Sequence, residues 1–249
     1  IMKLLADIGN SQIKVAAAEN QNLSKIKSFS IDEIEKLQKY ISKNCRDSDS
    51  TLLFSSVLGE KFNKKFKKAF RDIYIKTTEF KSTKSLLSVK NSYTNPIKLG
   101  SDRWVQIVAA NKIYQKDTMI VSCGSAISID YTTSTGNHKG GLLLSGAQRY
   151  SSCFSDIHNL KNIKLANQKK NKLSLLESNT TKQISMGYRL MVSSCINEIY
   201  SSLCASKKSK PILLLTGSYA KNISNDLRIK CLVEPYFVLK SLAWIQNEY

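Results

Sequence analysis

A chain of 249 residues with 42% apolar and 23% charged residues has the make-up of one large or two medium folded domains, which excludes disorder as its main state. Lys and Arg total 38 against 19 Asp and Glu, a net charge of +19 that attracts anionic partners; Lys dominates and no Arg cluster or aromatic–basic interleaving appears, so a solvated lysine-rich surface is expected rather than a nucleic-acid site. No run nears the roughly 18 apolar residues of a membrane helix, Asp7 breaks the first apolar run too early for a secretory signal, and six cysteines without a Cys-x-x-Cys pair and two histidines argue against a zinc site, a disulfide scaffold or a Ser-His-Asp triad.

In chain order, Lys3-Leu4-Leu5-Ala6 is an apolar strand, Asp7-Ile8-Gly9-Asn10-Ser11 a turn, and alternating Ile13, Val15 and Ala17 a second strand. Ile31, Ile34, Leu37 and Ile41 recur at helical spacing, and Thr51 to Val57 reads as a strand. From Glu60 to Arg71, Phe62, Phe66, Ala69 and Phe70 line one face of an amphipathic helix whose other face is basic; Ile73-Tyr74-Ile75 then reads as a short strand. A helix over about 102–115 closes this part. Thr118 to Cys123 opens a second strand–turn–strand, with the turn at Gly124-Ser125 and Ile127, Ile129 and Tyr131 following. Gly9 and Gly124 lie close to half the chain apart, which suggests two related α/β halves with a boundary near 115–118. A glycine turn is expected at Gly140-Gly141, a long amphipathic helix over 182–205, a strand at 211–215 and a helix from Val238 to Tyr249.

Two stretches can carry chemistry. At the first hairpin tip, a carboxylate at a strand end can hold Mg²⁺, and the Gly-Asn turn lets backbone N–H groups converge on a phosphate, with Ser11 and Lys14 beside it. A plain Asn-bearing hairpin turn with an adjacent Asp has the same letters, and these residues alone do not separate the two. Neither the Walker lysine motif nor Gly-x-Gly-x-x-Gly occurs. In Tyr93-Thr94-Asn95-Pro96-Ile97-Lys98-Leu99-Gly100-Ser101-Asp102-Arg103-Trp104, a Pro–Gly bend leads into a helix with Asp102 and Arg103 on its first turn. Asp suits that position through the helix dipole alone. Arg103 does not, and its guanidinium suits a phosphate or carboxylate.

Together these pieces resemble the type III pantothenate kinases, a family that includes proteins described as Bvg accessory factors. The matching motifs, in order, are Asp-x-Gly-Asn-Ser at Asp7–Ser11, Tyr-x-x-Pro-x-x-Leu-Gly-x-Asp-Arg-Trp at Tyr93–Trp104, Gly-Ser-Ala at Gly124–Ala126 with Asp130, Gly140-Gly141 with Ser145-Gly146, Asn179-Thr180 with Gly187, and Thr216-Gly217. The resemblance implies an α/β fold of the actin-like, sugar-kinase superfamily: two ribonuclease-H-like halves, here 1–116 and 117–249, with a nucleotide cleft between them. It implies ATP-dependent phosphorylation of pantothenate to 4'-phosphopantothenate, the first step of coenzyme A synthesis, by a cytoplasmic homodimer. Asp102 would be the catalytic base. Tyr93, Gly100, Ser101, Asp102, Arg103 and Thr180 would bind pantothenate. Asp7, Ile8, Gly9, Asn10, Ser11, Gln12, Ile13, Lys14 and Ser125 would line the ATP, with Asp7 near Mg²⁺.

The chain departs from the family at three points. Ser122 stands where the family has an Asp tied to a monovalent cation, so a K⁺ or NH₄⁺ site loses its charge. Ser218 replaces a second glycine, and Ser145-Gly146 lacks the family's proline. An alternative from a different class is a non-catalytic relative acting as a regulatory accessory protein; the retained Asp7, Asp102 and Arg103 favour the kinase. Cys123 is expected as an apolar filler rather than a redox thiol, and His138 and His158 are given no role.

Overall fold

The computed structural model describes residues 3–19, 21–44, 50–160, 165, 176–206 and 209–246. Cys45 and the last three residues of the expected C-terminal helix lie outside them. In chain order the elements are β1 (Lys3–Ile8), β2 (Gln12–Glu19), β3 (Asn22–Leu23), β4 (Lys27–Ser30), α1 (Ile34–Asn44), β5 (Thr51–Ser56), α2 (Gly59–Arg71), β6 (Lys76–Glu79), β7 (Ser85–Leu86), β8 (Val89–Lys90), α3 (Ser101–Tyr114), β9 (Thr118–Cys123), β10 (Ala126–Thr132), β11 (His138–Ser145), α4 (Ala147–Ser152), α5 (Thr180–Ala205), β12 (Ile212–Thr216), α6 (Ala220–Ser224), β13 (Leu232–Glu234) and α7 (Phe237–Ile245).

These elements pack as two units. The first holds the chain through Tyr114, the short stretch Gly136–His138, and everything from Tyr236 on; the second holds Gln115–Thr135 and Lys139–Pro235. The C-terminal segment does not follow the expected division: α7 packs on α3 and β1 of the first unit. Its apolar run, with Phe237, Leu239, Leu242, Ala243 and Ile245 buried, covers a sheet face that would otherwise meet water.

In the first unit the sheet order is β3-β2-β1-β5-β6, with β4 also on β2. β1 runs antiparallel to β2 and parallel to β5, and β5 runs parallel to β6. Side chains alternate across the sheet. Leu4, Ala6, Ile8, Leu52 and Phe54 join the core under α1 and α2, with Leu37, Ile41, Phe66 and Phe70. Phe66 meets Phe54 and Phe70 with ring centroids 5.0 and 4.7 Å apart; each buried ring contributes about 1.5–3 kcal/mol. The intervening residues Leu5, Asp7, Leu53 and Ser55 therefore face the other side, where α3 and α7 lie. That alternation carries a carboxylate to the start of α3.

The second unit repeats the plan. Its sheet order is β11-β10-β9-β12-β13, with β9 antiparallel to β10, β9 parallel to β12, and β12 parallel to β13. Both sheets thus have the ribonuclease-H-like hairpin followed by parallel strands. Val121, Cys123, Ile127, Leu213 and Leu215 pack against Tyr188, Val192 and Ile196 of α5 in its core. In α5, Asn179 caps the N-terminus by accepting from the Lys182 N–H at 3.2 Å.

Two local expectations are corrected. Ile73-Tyr74-Ile75 is not a strand: the Tyr74 and Ile75 N–H groups donate back to Arg71 and Phe70 carbonyls, closing the end of α2, and Tyr74 takes φ 60°. The strand begins at Lys76. Gly140-Gly141 is not a turn but lies inside β11, with Gly140 at φ 96°. The edge strands, the β7–β8 ribbon, α4 and α6 are too short to leave a periodic signal in sequence. Among the described residues no helix is long and apolar enough to cross a membrane.

Candidate active site

Asp7 is the penultimate residue of β1 and pairs in register with Lys14 on β2 and Ser55 on β5. All three point to the α3 side of the sheet, at the carboxyl ends of two parallel strands. This is where open α/β sheets bind ligands. The Gly9 N–H donates to the Gln12 carbonyl at 3.0 Å, closing the hairpin, and Asn10, Ser11 and Gln12 are exposed at its tip. Ile8 and Ile13 are fully buried and hold the hairpin to the core rather than facing a ligand.

Ser101, the first residue of α3, is tied to the end of β5. Its hydroxyl donates to the Ser56 carbonyl at 3.1 Å, accepts from the Ser56 N–H at 3.3 Å, and bonds the Ser55 hydroxyl at 2.8 Å. Ser101 is therefore a fastener: it pins the start of α3 beside the strand that flanks Asp7. Asp102 follows, and its carboxylate folds back over Gly100. A Cβ on Gly100 would lie 2.6 Å from Asp102 Oδ1, so a side chain there would displace the carboxylate from this position.

The two carboxylates feel one another. Burial pushes the Asp7 carboxyl up to about 6; the Lys14 ammonium opposes the rise, and the Asp102 carboxylate adds to it. Lys14 also sits over the Tyr236 ring, 6.0 Å from its centroid. Among the described residues no cluster of three or more His, Cys, Asp or Glu could enclose a metal. Asp7 at the strand end nevertheless fits Mg²⁺, which keeps waters and phosphate oxygens in its shell and needs only one or two protein carboxylates. The raised Asp7 value comes first from burial, and the Asp102 carboxylate adds to it.

Arg103 is 8% exposed, and its Nη1 donates to the Tyr93 hydroxyl at 2.9 Å, with the guanidinium carbon 5.7 Å from the Tyr93 ring centroid. Tyr93 is itself held by its N–H on Asn91 Oδ1 at 3.0 Å and by a parallel stack on His138. Trp104 is fully buried and donates from Nε1 to Thr83 Oγ1 at 3.2 Å, anchoring the first turn of α3. Tyr93, Gly100, Ser101, Asp102 and Arg103 thus gather around one helix start, in the same unit as Asp7 and Lys14. Ser55, Ser56 and His138 were missed by sequence reasoning; serines in a strand and a lone histidine carry no pattern that would have singled them out.

Ser125 and Thr180 belong to the second unit. Three glycine motifs far apart in sequence meet at the Cys123–Ser125 turn. A Cβ on Gly146 would lie 2.4 Å from the Gly124 carbonyl oxygen, and one on Gly217, which takes φ 91°, would lie 2.4 Å from the Cys123 oxygen. The Tyr219 N–H donates to that same Cys123 oxygen at 3.2 Å. The turn is packed backbone on backbone, and Ser218 is exposed beside it. Burial, with Cys231 adding to it, pushes the Cys123 thiol up to about 12, so it stays a protonated filler. Ser122 pairs with Thr216 and Ser128, occupying in the second hairpin the place Asp7 holds in the first. Asp130 is buried on β10. Thr180 is exposed on the first turn of α5.

Comparison with known proteins bears on the family and the fold. The family described as Type III pantothenate kinase matches residues 3–202. A type III pantothenate kinase of Nitrosococcus oceani is 26% identical over 99% of this chain and 94% of its own. Among solved structures, a Baf family protein from Campylobacter jejuni superposes with TM-score 0.64 at 20% identity, covering 98% of each chain. MreB5 of Spiroplasma citri, solved bound to ADP, gives TM-score 0.51 at 9% identity over 99% of this chain and 96% of its own. The fold is that of the actin-like ATPases and sugar kinases.

Proposed function

The chain belongs to the type III pantothenate kinase family, and from that premise we propose that it transfers the γ-phosphoryl group of ATP to pantothenate, giving ADP and 4'-phosphopantothenate for coenzyme A synthesis. The observation that carries this reading is the Ser101 fastener, which ties the start of α3, where Asp102 lies, to the end of β5, the strand that flanks Asp7.

In this reading the Asp102 carboxylate accepts the proton of the pantothenate 4'-hydroxyl as that oxygen bonds to the γ-phosphorus and the bond to ADP breaks. Phosphoryl transfer asks the protein mainly for alignment and charge neutralisation, so a weak carboxylate base is adequate. Arg103, presented by Tyr93, offers a charge-assisted pair to the pantothenate carboxylate. Gly100 keeps Asp102 folded toward the substrate. The Gly9–Gln12 turn and Lys14 face the ATP phosphates. Mg²⁺, held through Asp7, would supply positive charge to those phosphates. Ser125 at the nucleotide and Thr180 at pantothenate enter the proposal by motif alone.

The homodimer is proposed on the second unit, where Leu142 and Leu143 on β11, Ile157, and Met191 on α5 are exposed apolar side chains. The test of the function is ADP release by the purified protein with ATP and Mg²⁺. Release that requires pantothenate supports the reading; release indifferent to pantothenate, or none, overturns it.

A further inference from the structure

His138 is 3% exposed, and sequence reasoning gives it no task. It sits on a three-residue stretch, Gly136–His138, that packs with the first unit although the chain on both sides packs with the second. The stretch is held tightly. Gly136 takes φ 80°, and a Cβ there would lie 2.7 Å from the Ser88 carbonyl oxygen. The Lys90 N–H donates to the Gly136 carbonyl at 2.7 Å, and Lys90 pairs with Asn137 as a parallel bridge. Such a crossing fixes where the next side chain, His138, is delivered.

The imidazole is delivered to Tyr93. The two rings are stacked, with centroids 6.3 Å apart and planes 18° from parallel. Nδ1 lies 3.1 Å from Ser92 Oγ and 3.5 Å from the Ser92 N. A backbone N–H can only donate, so Nδ1 accepts in its contact with the Ser92 N. This bond sets the rotation of the imidazole plane, and the plane sets the tilt of the phenol. Tyr93 in turn receives the Arg103 guanidinium on its hydroxyl and over its ring. A half-buried tyrosine on a loop would otherwise sample several rotamers, and a ligand would bear the cost of ordering it.

We propose that His138 is a positioning residue for the acid-binding end of the substrate site: it fixes Tyr93, and through Tyr93 the buried Arg103, for a small carboxylic acid. The inference rests on the pantothenate kinase reading above. His138 touches no reacting atom, so its loss weakens ground-state and transition-state binding alike, which raises KM for pantothenate and leaves kcat unchanged.

The experiment is steady-state kinetics on the full chain with His138→Ala, His138→Phe, Tyr93→Ala and the double variant Tyr93→Ala/His138→Ala. The worth of an aromatic pair gives an expected rise in pantothenate KM of about two- to tenfold for His138→Ala. His138→Phe, which keeps a flat ring but loses the Ser92 bond, should fall between that and wild type. KM for ATP and kcat should stay within about twofold. The double variant should match Tyr93→Ala alone, because a residue acting through Tyr93 has nothing left to act on. If His138→Ala does not fold, His138→Phe carries the KM comparison and Tyr93→Ala/His138→Phe the cycle. A wild-type protein without pantothenate-dependent turnover overturns the kinase reading and this inference with it. An active wild type with an unchanged pantothenate KM in the His138 variants, or with the His138 and Tyr93 effects fully additive, overturns this inference alone.

Discussion

Asp7→Asn should make the ligand-free protein more stable and the enzyme inactive. The Asp7 carboxyl is raised from 3.8 to about 6, first by burial, against the pull of Lys14 and with Asp102 adding to the rise. The unfolded chain therefore gives up its Asp7 proton at lower pH than the folded one. Raising pH from about 4 to about 6 drains stability, and above that the loss is constant. A shift of this size amounts to about 2–3 kcal/mol against the folded state at pH 7. Asparagine keeps the shape without the charge and recovers most of it. For a chain of this size that is a rise in melting midpoint of about 5 °C. At pH 4.5, where the folded carboxyl is mostly protonated already, the gain should shrink to about one third. Thermal melts of both proteins at the two pH values, followed by circular dichroism without nucleotide or Mg²⁺, read this directly. Turnover at pH 7 should fall by about two orders of magnitude, as expected where a strained site is kept for function. A variant less stable than wild type at pH 7, or a gain of the same size at both pH values, would refute the reasoning.

Three further outcomes follow from other parts of the structure. Gly100→Ala puts a methyl group 2.6 Å from Asp102 Oδ1; the carboxylate end can swing away, so the melting midpoint should hold within about 2 °C while kcat drops by about 100-fold, and a kcat within twofold of wild type would count against the placement of Asp102. Because Ser122 offers a neutral oxygen where the family has a carboxylate, activity should change little when K⁺ is replaced by Na⁺ or a bulky organic cation at constant ionic strength, and Ser122→Asp should create K⁺ dependence; a steep K⁺ requirement in the unmodified protein would contradict this. Light scattering at micromolar concentration should give twice the 28.0 kDa chain mass, and a monomer would remove the proposed dimer.

The paired hairpins were legible because each is an apolar run, a glycine turn and a second apolar run, a pattern that needs no partner to be recognised. The Asp7 and Tyr93–Trp104 motifs were legible for a different reason: Gly100 and Asp102 are two residues apart, so their contact is local. What sequence could not supply is long-range. Ser55 and Ser56 matter only because Ser101, more than forty positions later, bonds to them. His138 matters only because the chain crosses back to Tyr93. Long-range pairing and packing also overrode local pattern: Gly140-Gly141 reads as a turn but is carried in β11 by pairing with β10, and the apolar C-terminal helix completes the first unit although it follows the second in sequence. Tyr74, with the β-propensity of a strand residue, instead closes the end of α2, because the backbone bonds there go to Phe70 and Arg71.

Under the proposed function, Asp102 takes the proton from a pantothenate hydroxyl during phosphoryl transfer. Mass spectrometry of the products formed from ATP, Mg²⁺ and pantothenate by wild type and by Asp102→Asn tests it most directly, with ATP affinity measured alongside. Phosphopantothenate should accumulate with wild type and at least about 100-fold more slowly with the variant, while ATP binds both equally. Phosphopantothenate formed at the same rate by Asp102→Asn, or none formed by wild type, would contradict it.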